Sequence, residues 1–159
     1  MHPAPSILVF TVVSGAGYGL LILLGILVPA GLIPSERWLG VLAMGLALSF
    51  VSTGLIASTF HLGRPERAWR ALTQWRSSWL SREGVAAAVT FLPAVLFALG
   101  WVVAERGQGV ATLVGAFTAA MAVVTVICTA MIYASIKPVR QWRDPCTPVT
   151  YLGFALATG

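Results

Sequence analysis

Charge is what this chain has least of. Its 159 residues hold 10 Lys and Arg and 5 Asp and Glu, 9% in all, where a water-soluble domain carries roughly a quarter. With 58% hydrophobic residues and a mean hydropathy of +0.88, that shortage excludes a soluble globular domain, and no nucleic-acid partner is expected. Histidine and cysteine are scarce too, at 2 residues each. Cys128 and Cys146 form no CxxC and have no matching histidine pair, so a zinc or iron-sulfur ligand set within the chain is not expected. The N-terminal "MHPAPSILVF" lacks the Lys or Arg of a secretory n-region, and the apolar run after it is too long for an h-region, so the first helix is expected to be retained. The glycines of "SGAGYG" are not a dinucleotide fingerprint: no third Gly stands at the required offset and no strand precedes them. No repeat, low-complexity tract or linker divides residues 1–159, which read as a single integral membrane domain.

What is present is length of apolar chain. A hydrocarbon core of about 30 Å takes about 20 residues of helix, and residues 7–28, 38–60, 85–103 and 110–133 meet that length without one Asp, Glu, Lys, Arg or His. The fold class is therefore all-α: a polytopic transmembrane helix bundle with four complete spans. A fifth apolar segment, residues 149–159, would rise only about 16 Å and cannot cross. It is read as the start of a fifth helix in a fragment. Gly15, Gly17 and Gly19 in the first helix and Ser52, Thr53, Gly54, Ala57 and Ser58 in the second predict a close contact between the two, because small residues let backbones approach in lipid.

The sparse charges are unevenly placed. Antiparallel helices put Arg64, Arg67, Arg70, Arg76, Arg82, Lys137, Arg140 and Arg143 on one face, against Arg37 and Arg106 on the other. The positive-inside rule assigns the basic face to the cytoplasm, although a docked partner would select the same bias. Most of these residues lie in "FHLGRPERAWRALTQWRSSWLSRE". Gly63 and Pro65 stop the second helix and open a new short one, on which Trp69, Leu72, Trp75 and Trp79 recur at intervals of three, three and four as one apolar stripe. That pattern predicts a helix in the membrane interface, indoles at headgroup depth and guanidiniums in water. Ser81 reads as the N-cap of the third helix, with Glu83 in its first turn.

His61 ends the second helix and Glu83 precedes the third span, both at one boundary plane. A His and a carboxylate at the bilayer edge suit proton exchange with a quinone, whose two-electron reduction takes up two protons. The plain reading of both is an ordinary boundary His and first-turn Glu.

"STFHLGRPERAWRALTQWRSSWLSRE", with "MIYASIKPVRQW" and "TPVTYLGFALATG", resembles the membrane anchor subunit of the dimethyl sulfoxide reductase family, within the wider polysulfide and nitrite reductase anchor group. The resemblance covers helices two to five. It implies a subunit of about eight helices in the bacterial inner membrane, without haem or metal of its own, that holds a molybdopterin catalytic subunit and an iron-sulfur subunit and exchanges electrons with quinone or quinol, menaquinone or ubiquinone. Paired axial ligands for a haem are lacking, since the only histidines are His2 and His61. On this resemblance His61, Glu83 and Arg64 are the candidates for quinone binding and proton exchange. Arg64 has phosphate contact as its plain alternative. Tyr133 and Lys137 are secondary candidates, Tyr133 with an interfacial aromatic role as the simpler reading. Arg67, Arg70, Arg140 and Arg143 are assigned to subunit docking or lipid contact. The alternatives are a proton or small-solute transporter, against which the lack of ionisable residues inside the four spans argues, and a passive scaffold.

Overall fold

A computed structural model describes residues 5–59, 65–104, 109–136, 138–139 and 142–159. Its helices are α1 (Pro5–Leu27), α2 (Arg37–Thr59), a 3-10 helix (Pro65–Gln74), α3 (Trp79–Ala104), α4 (Val110–Ala134) and α5 (Thr147–Thr158). Four of them, α1 to α4, are long and apolar enough to cross a membrane. At about 1.5 Å per residue, the 23 residues of α1 rise about 35 Å. The order agrees with the expected polytopic bundle, with a fifth, shorter helix after the four long ones.

α1 is the hub, packing on α2, α4 and α5, while α3 lies mainly on α4. Glycine sets these approaches. A Cβ on Gly17 would stand 2.8 Å from the Val51 backbone nitrogen, and one on Gly54 would stand 2.6 Å from Ser14 Cβ. The predicted α1/α2 contact is thus made by Gly17 and Gly54. Gly19 serves a different neighbour, the backbone of α5 at Ala155, and Gly15 meets nothing within 4 Å. Farther along, Gly25 of α1 lies against Gly115 of α4, and Gly40 of α2 accommodates the Trp101 ring of α3.

Hydroxyls inside the spans bond back to their own helices, since lipid offers no water. Ser14 donates to the Phe10 carbonyl at 2.5 Å, Thr90 to Ala86 at 2.7 Å, Thr118 to Val114 at 2.8 Å and Thr125 to Met121 at 2.9 Å. These bonds let threonines occupy buried positions at little cost.

The loop before α3 differs in detail from the sequence expectation. It is a 3-10 helix, in which residues three apart eclipse, so Trp69 and Leu72 share a face while Trp79 belongs to α3. Leu72 turns toward Gly84 of α3, and the indoles of Trp69 and Trp75 stand exposed at 61% and 53%. α3 starts two residues before Ser81, so Ser81 is no N-cap and Glu83 is not in the first turn. The carbonyls of the preceding turn are met instead by Arg82, which donates to Trp75 at 2.9 Å and Arg76 at 2.8 Å and stacks 4.3 Å from the Trp79 ring centroid. Earlier termination of the loop draws Ser81 and Glu83 into the bundle.

Candidate functional site at the Glu83 end of the bundle

Glu83 is 5% exposed, deep for a carboxylate. Extension of α3 back to Trp79 places it inside that helix rather than ahead of it. Its hydrogen-bond partner among the described residues is the Thr129 hydroxyl of α4. Thr129 is itself 7% exposed and lies 3.1 Å from the Thr125 carbonyl. One helix therefore supplies the carboxylate and its neighbour supplies the hydroxyl that meets it.

Thr129 also lines a cavity of about 390 Å³ between α1, α4 and α5. From α1 come Thr11, Val12, Ser14, Gly15 and Tyr18; from α5 come Tyr151 and Phe154 among others. The walls are chiefly apolar with a few hydroxyls, the usual make-up of a small-molecule site. Tyr18 is 2% exposed, and its hydroxyl has no hydrogen-bond partner among the described residues. A buried phenol left so costs roughly 1–3 kcal/mol unless something accepts from it.

At the basic-loop end the cavity is framed by aromatics. Tyr133 shares a 2.7 Å hydrogen bond with Thr11, its ring lies 5.5 Å from Tyr151, and Trp142 meets it edge-on at 5.3 Å. The secondary candidate Tyr133 thus ties α1, α4 and α5 together beside the cavity. Of the other predicted residues, Arg70 lies 5.4 Å from the neighbouring Trp69 ring centroid and Arg143 is exposed. Arg67 falls in the 3-10 helix. His61, Arg64, Lys137 and Arg140 lie outside the described residues.

Sequence reading missed Thr129, Tyr18, Thr11 and Tyr151. Thr125 and Thr129 stand at i, i+4 on an apolar helix, a spacing that marks one face; that was the available signal. Nothing in "SGAGYG" distinguishes Tyr18 from an ordinary packing aromatic.

Between α4 and α5 the Asp144 carboxylate accepts from the Cys146 backbone N–H at 2.7 Å, which holds it below the usual carboxylate range. Hydrogen bonding with Asp144, and then its charge, pushes the exposed Cys146 thiol above the usual thiol range. The thiolate is the nucleophile, so a raised thiol reacts slowly. Maleimide alkylation of Cys146 is expected to quicken about threefold or more in Asp144→Asn at mildly alkaline pH, with buried Cys128 unreactive in both proteins. Equal rates at Cys146 would show that Asp144 does not control it.

Four membrane-length helices define a multi-pass membrane protein, with a basic loop edged by tryptophan and a buried carboxylate near an apolar cavity. Residues 1–159 match the DMSO reductase anchor subunit (DmsC) family over the whole chain, and the chain belongs to that family. It is 36% identical to a sulfite dehydrogenase subunit of Allochromatium vinosum over 178 aligned positions, which take in 100% of this chain and 53% of that protein. It is 29% identical to the anaerobic dimethyl sulfoxide reductase chain YnfH of Escherichia coli, covering 96% of this chain and 54% of the relative. Another anaerobic dimethyl sulfoxide reductase chain of E. coli is 28% identical over 91% of this chain and 51% of its own length. The chain thus spans about half the length of the curated relatives it matches. No solved structure matches it.

Proposed function

We propose that this chain is part of the quinone-reactive membrane anchor of a molybdopterin oxidoreductase complex in the bacterial inner membrane, exchanging electrons with an iron-sulfur subunit docked on its basic face. The anchor-family membership supports the role. The observation that carries the quinone assignment is the buried Glu83–Thr129 pair at the wall of the 390 Å³ cavity.

The cavity suits a quinone on two counts. Its walls are mostly apolar, and a carboxyl group stands one hydroxyl away. Quinone supplies reversible two-electron chemistry coupled to two protons; the chain's residues supply hydrogen bonds and a proton-exchanging group. Glu83 holds or releases the proton, with His61 and Arg64 at the loop's start as further candidates. Arg70 and Arg143 are assigned with Arg67 and Arg140 to docking or lipid contact on the same basic face, which the positive-inside rule puts in the cytoplasm.

Transport is the second reading, favoured by the same buried carboxylate, since intramembrane carboxylates mark proton paths. A photoreactive quinone analogue separates the two when applied to membranes carrying the full-length protein in its complex. Labelling is expected on the α1 peptide containing Thr11 to Tyr18, and competition by unmodified quinol should abolish it. Labelling confined to other segments, or insensitive to quinol, would overturn the assignment.

A further inference from the structure

We propose that the Thr129 hydroxyl is the proton relay between Glu83 and the α1/α4/α5 cavity. The inference deepens the quinone reading and rests on it for the identity of the acceptor in the cavity.

The relay follows from counting protons. Thr129 Oγ1 has two acceptors within reach, Glu83 Oε1 and the Thr125 carbonyl, and one proton to give. With Glu83 ionised, Thr129 donates to the carboxylate. With Glu83 protonated, the carboxyl O–H donates to Oγ1, and the Thr129 proton turns to the Thr125 carbonyl. One rotation about Cβ–Oγ keeps both charge states of a buried acid hydrogen-bonded. A valine here would leave that acid without a partner, at a full desolvation penalty.

Position makes the hydroxyl a route as well as a partner. Glu83 is not among the residues lining the cavity, whereas Thr129 both lines it and meets the carboxyl group. In outward transfer the Glu83 O–H bond breaks as a new Oγ–H bond forms on Thr129. The original Thr129 Oγ–H bond breaks in turn, its proton passing to an acceptor oxygen in the cavity. The hydroxyl ends as it began, and one positive charge has moved. Inward transfer is the reverse.

The path stops at this residue along α4. A carbonyl has no proton to pass on, and the Thr125 hydroxyl belongs to a separate pair, 2.9 Å from the Met121 carbonyl and 3.1 Å from the Thr90 hydroxyl. Among the described residues, the charged and titratable groups within electrostatic range of this corner are Tyr18 of α1, Cys128 and Tyr133 of α4, Tyr151 of α5 and Arg82 beside Glu83 on α3. None of these hydrogen-bonds to Glu83 among the described residues, which leaves Thr129 as the donor in contact.

The test reads proton access rather than turnover. In the full-length protein within its complex, the infrared carboxyl band of Glu83, identified by its loss in Glu83→Gln, is followed after transfer to D2O. Thr129→Val is expected to slow exchange of that band by about tenfold or more, and Thr129→Ser to restore it. Should the valine variant fail to assemble, Thr129→Cys replaces it, since a thiol donates weakly and the same slowing is expected. Exchange in Thr129→Val or Thr129→Cys at the unaltered rate would overturn the relay. Slowed exchange alongside unimpaired quinol oxidation in Glu83→Gln would leave the relay standing and remove the quinone reading.

Discussion

Glu83→Gln in the full-length protein is expected to lower quinol-linked electron transfer by about a hundredfold or more, with the complex still assembled on the membrane. The substitution separates chemistry from packing. Glutamine has nearly the shape of glutamate, and its amide oxygen still accepts from Thr129, so the α3/α4 contact at this level keeps its hydrogen bond. What disappears is the exchangeable proton. A positioned acid or base contributes typically about 10² to 10⁴ in rate, and a site in lipid has few alternative donors. The loss should fall on the quinol half-reaction alone, leaving substrate turnover with an artificial electron donor intact. Rates within about twofold of the unaltered complex, with assembly verified, would show that Glu83 is a buried structural acid. Glu83→Asp gives the graded control: it keeps the proton but draws it back from Thr129, so an intermediate loss is expected.

How far this corner could be read from sequence depends on the kind of interaction involved. Apolar length fixed four spans, because a bilayer demands about 20 residues whatever the neighbours. Glu83 was found as a carboxylate in a basic loop matching a family pattern. Its depth was not, because the start of α3 depends on Arg82 closing the carbonyls of residues 75 and 76, a contact no period reveals. A capping serine and a first-turn glutamate are what local rules give for "SRE", and tertiary packing moved both inside. Thr129 and Tyr18 matter through a partner 46 residues away or through the lack of any among the described residues. Such residues read as ordinary helix formers until the helices are assembled.

The glycines of α1 offer the other large effect, because two positions about half a turn apart should fail in opposite ways. Gly17→Leu is expected to abolish the folded bundle. A Cβ there would lie 2.8 Å from the Val51 nitrogen and 2.9 Å from the Ala47 carbonyl oxygen. Those are backbone atoms and cannot swing aside, so α1 and α2 must separate. Overpacking in a core that can adjust costs about 1–3 kcal/mol, and this site lacks that adjustment, in a setting where close packing is a main force holding helices together. Gly15→Leu, two residues earlier, meets nothing within 4 Å, and its side chain would grow into the cavity. The bundle should then survive while the space for a ligand is lost. Fluorescence-detected gel filtration after graded heating reads the first effect, and quinol-sensitive photolabelling of α1 reads the second. If Gly17→Leu melts with the unaltered protein, the close α1/α2 approach is wrong; if Gly15→Leu folds and still labels, the cavity is not where quinone binds. Because each variant controls for the other, loss of labelling in Gly15→Leu cannot be put down to a collapsed helix pair.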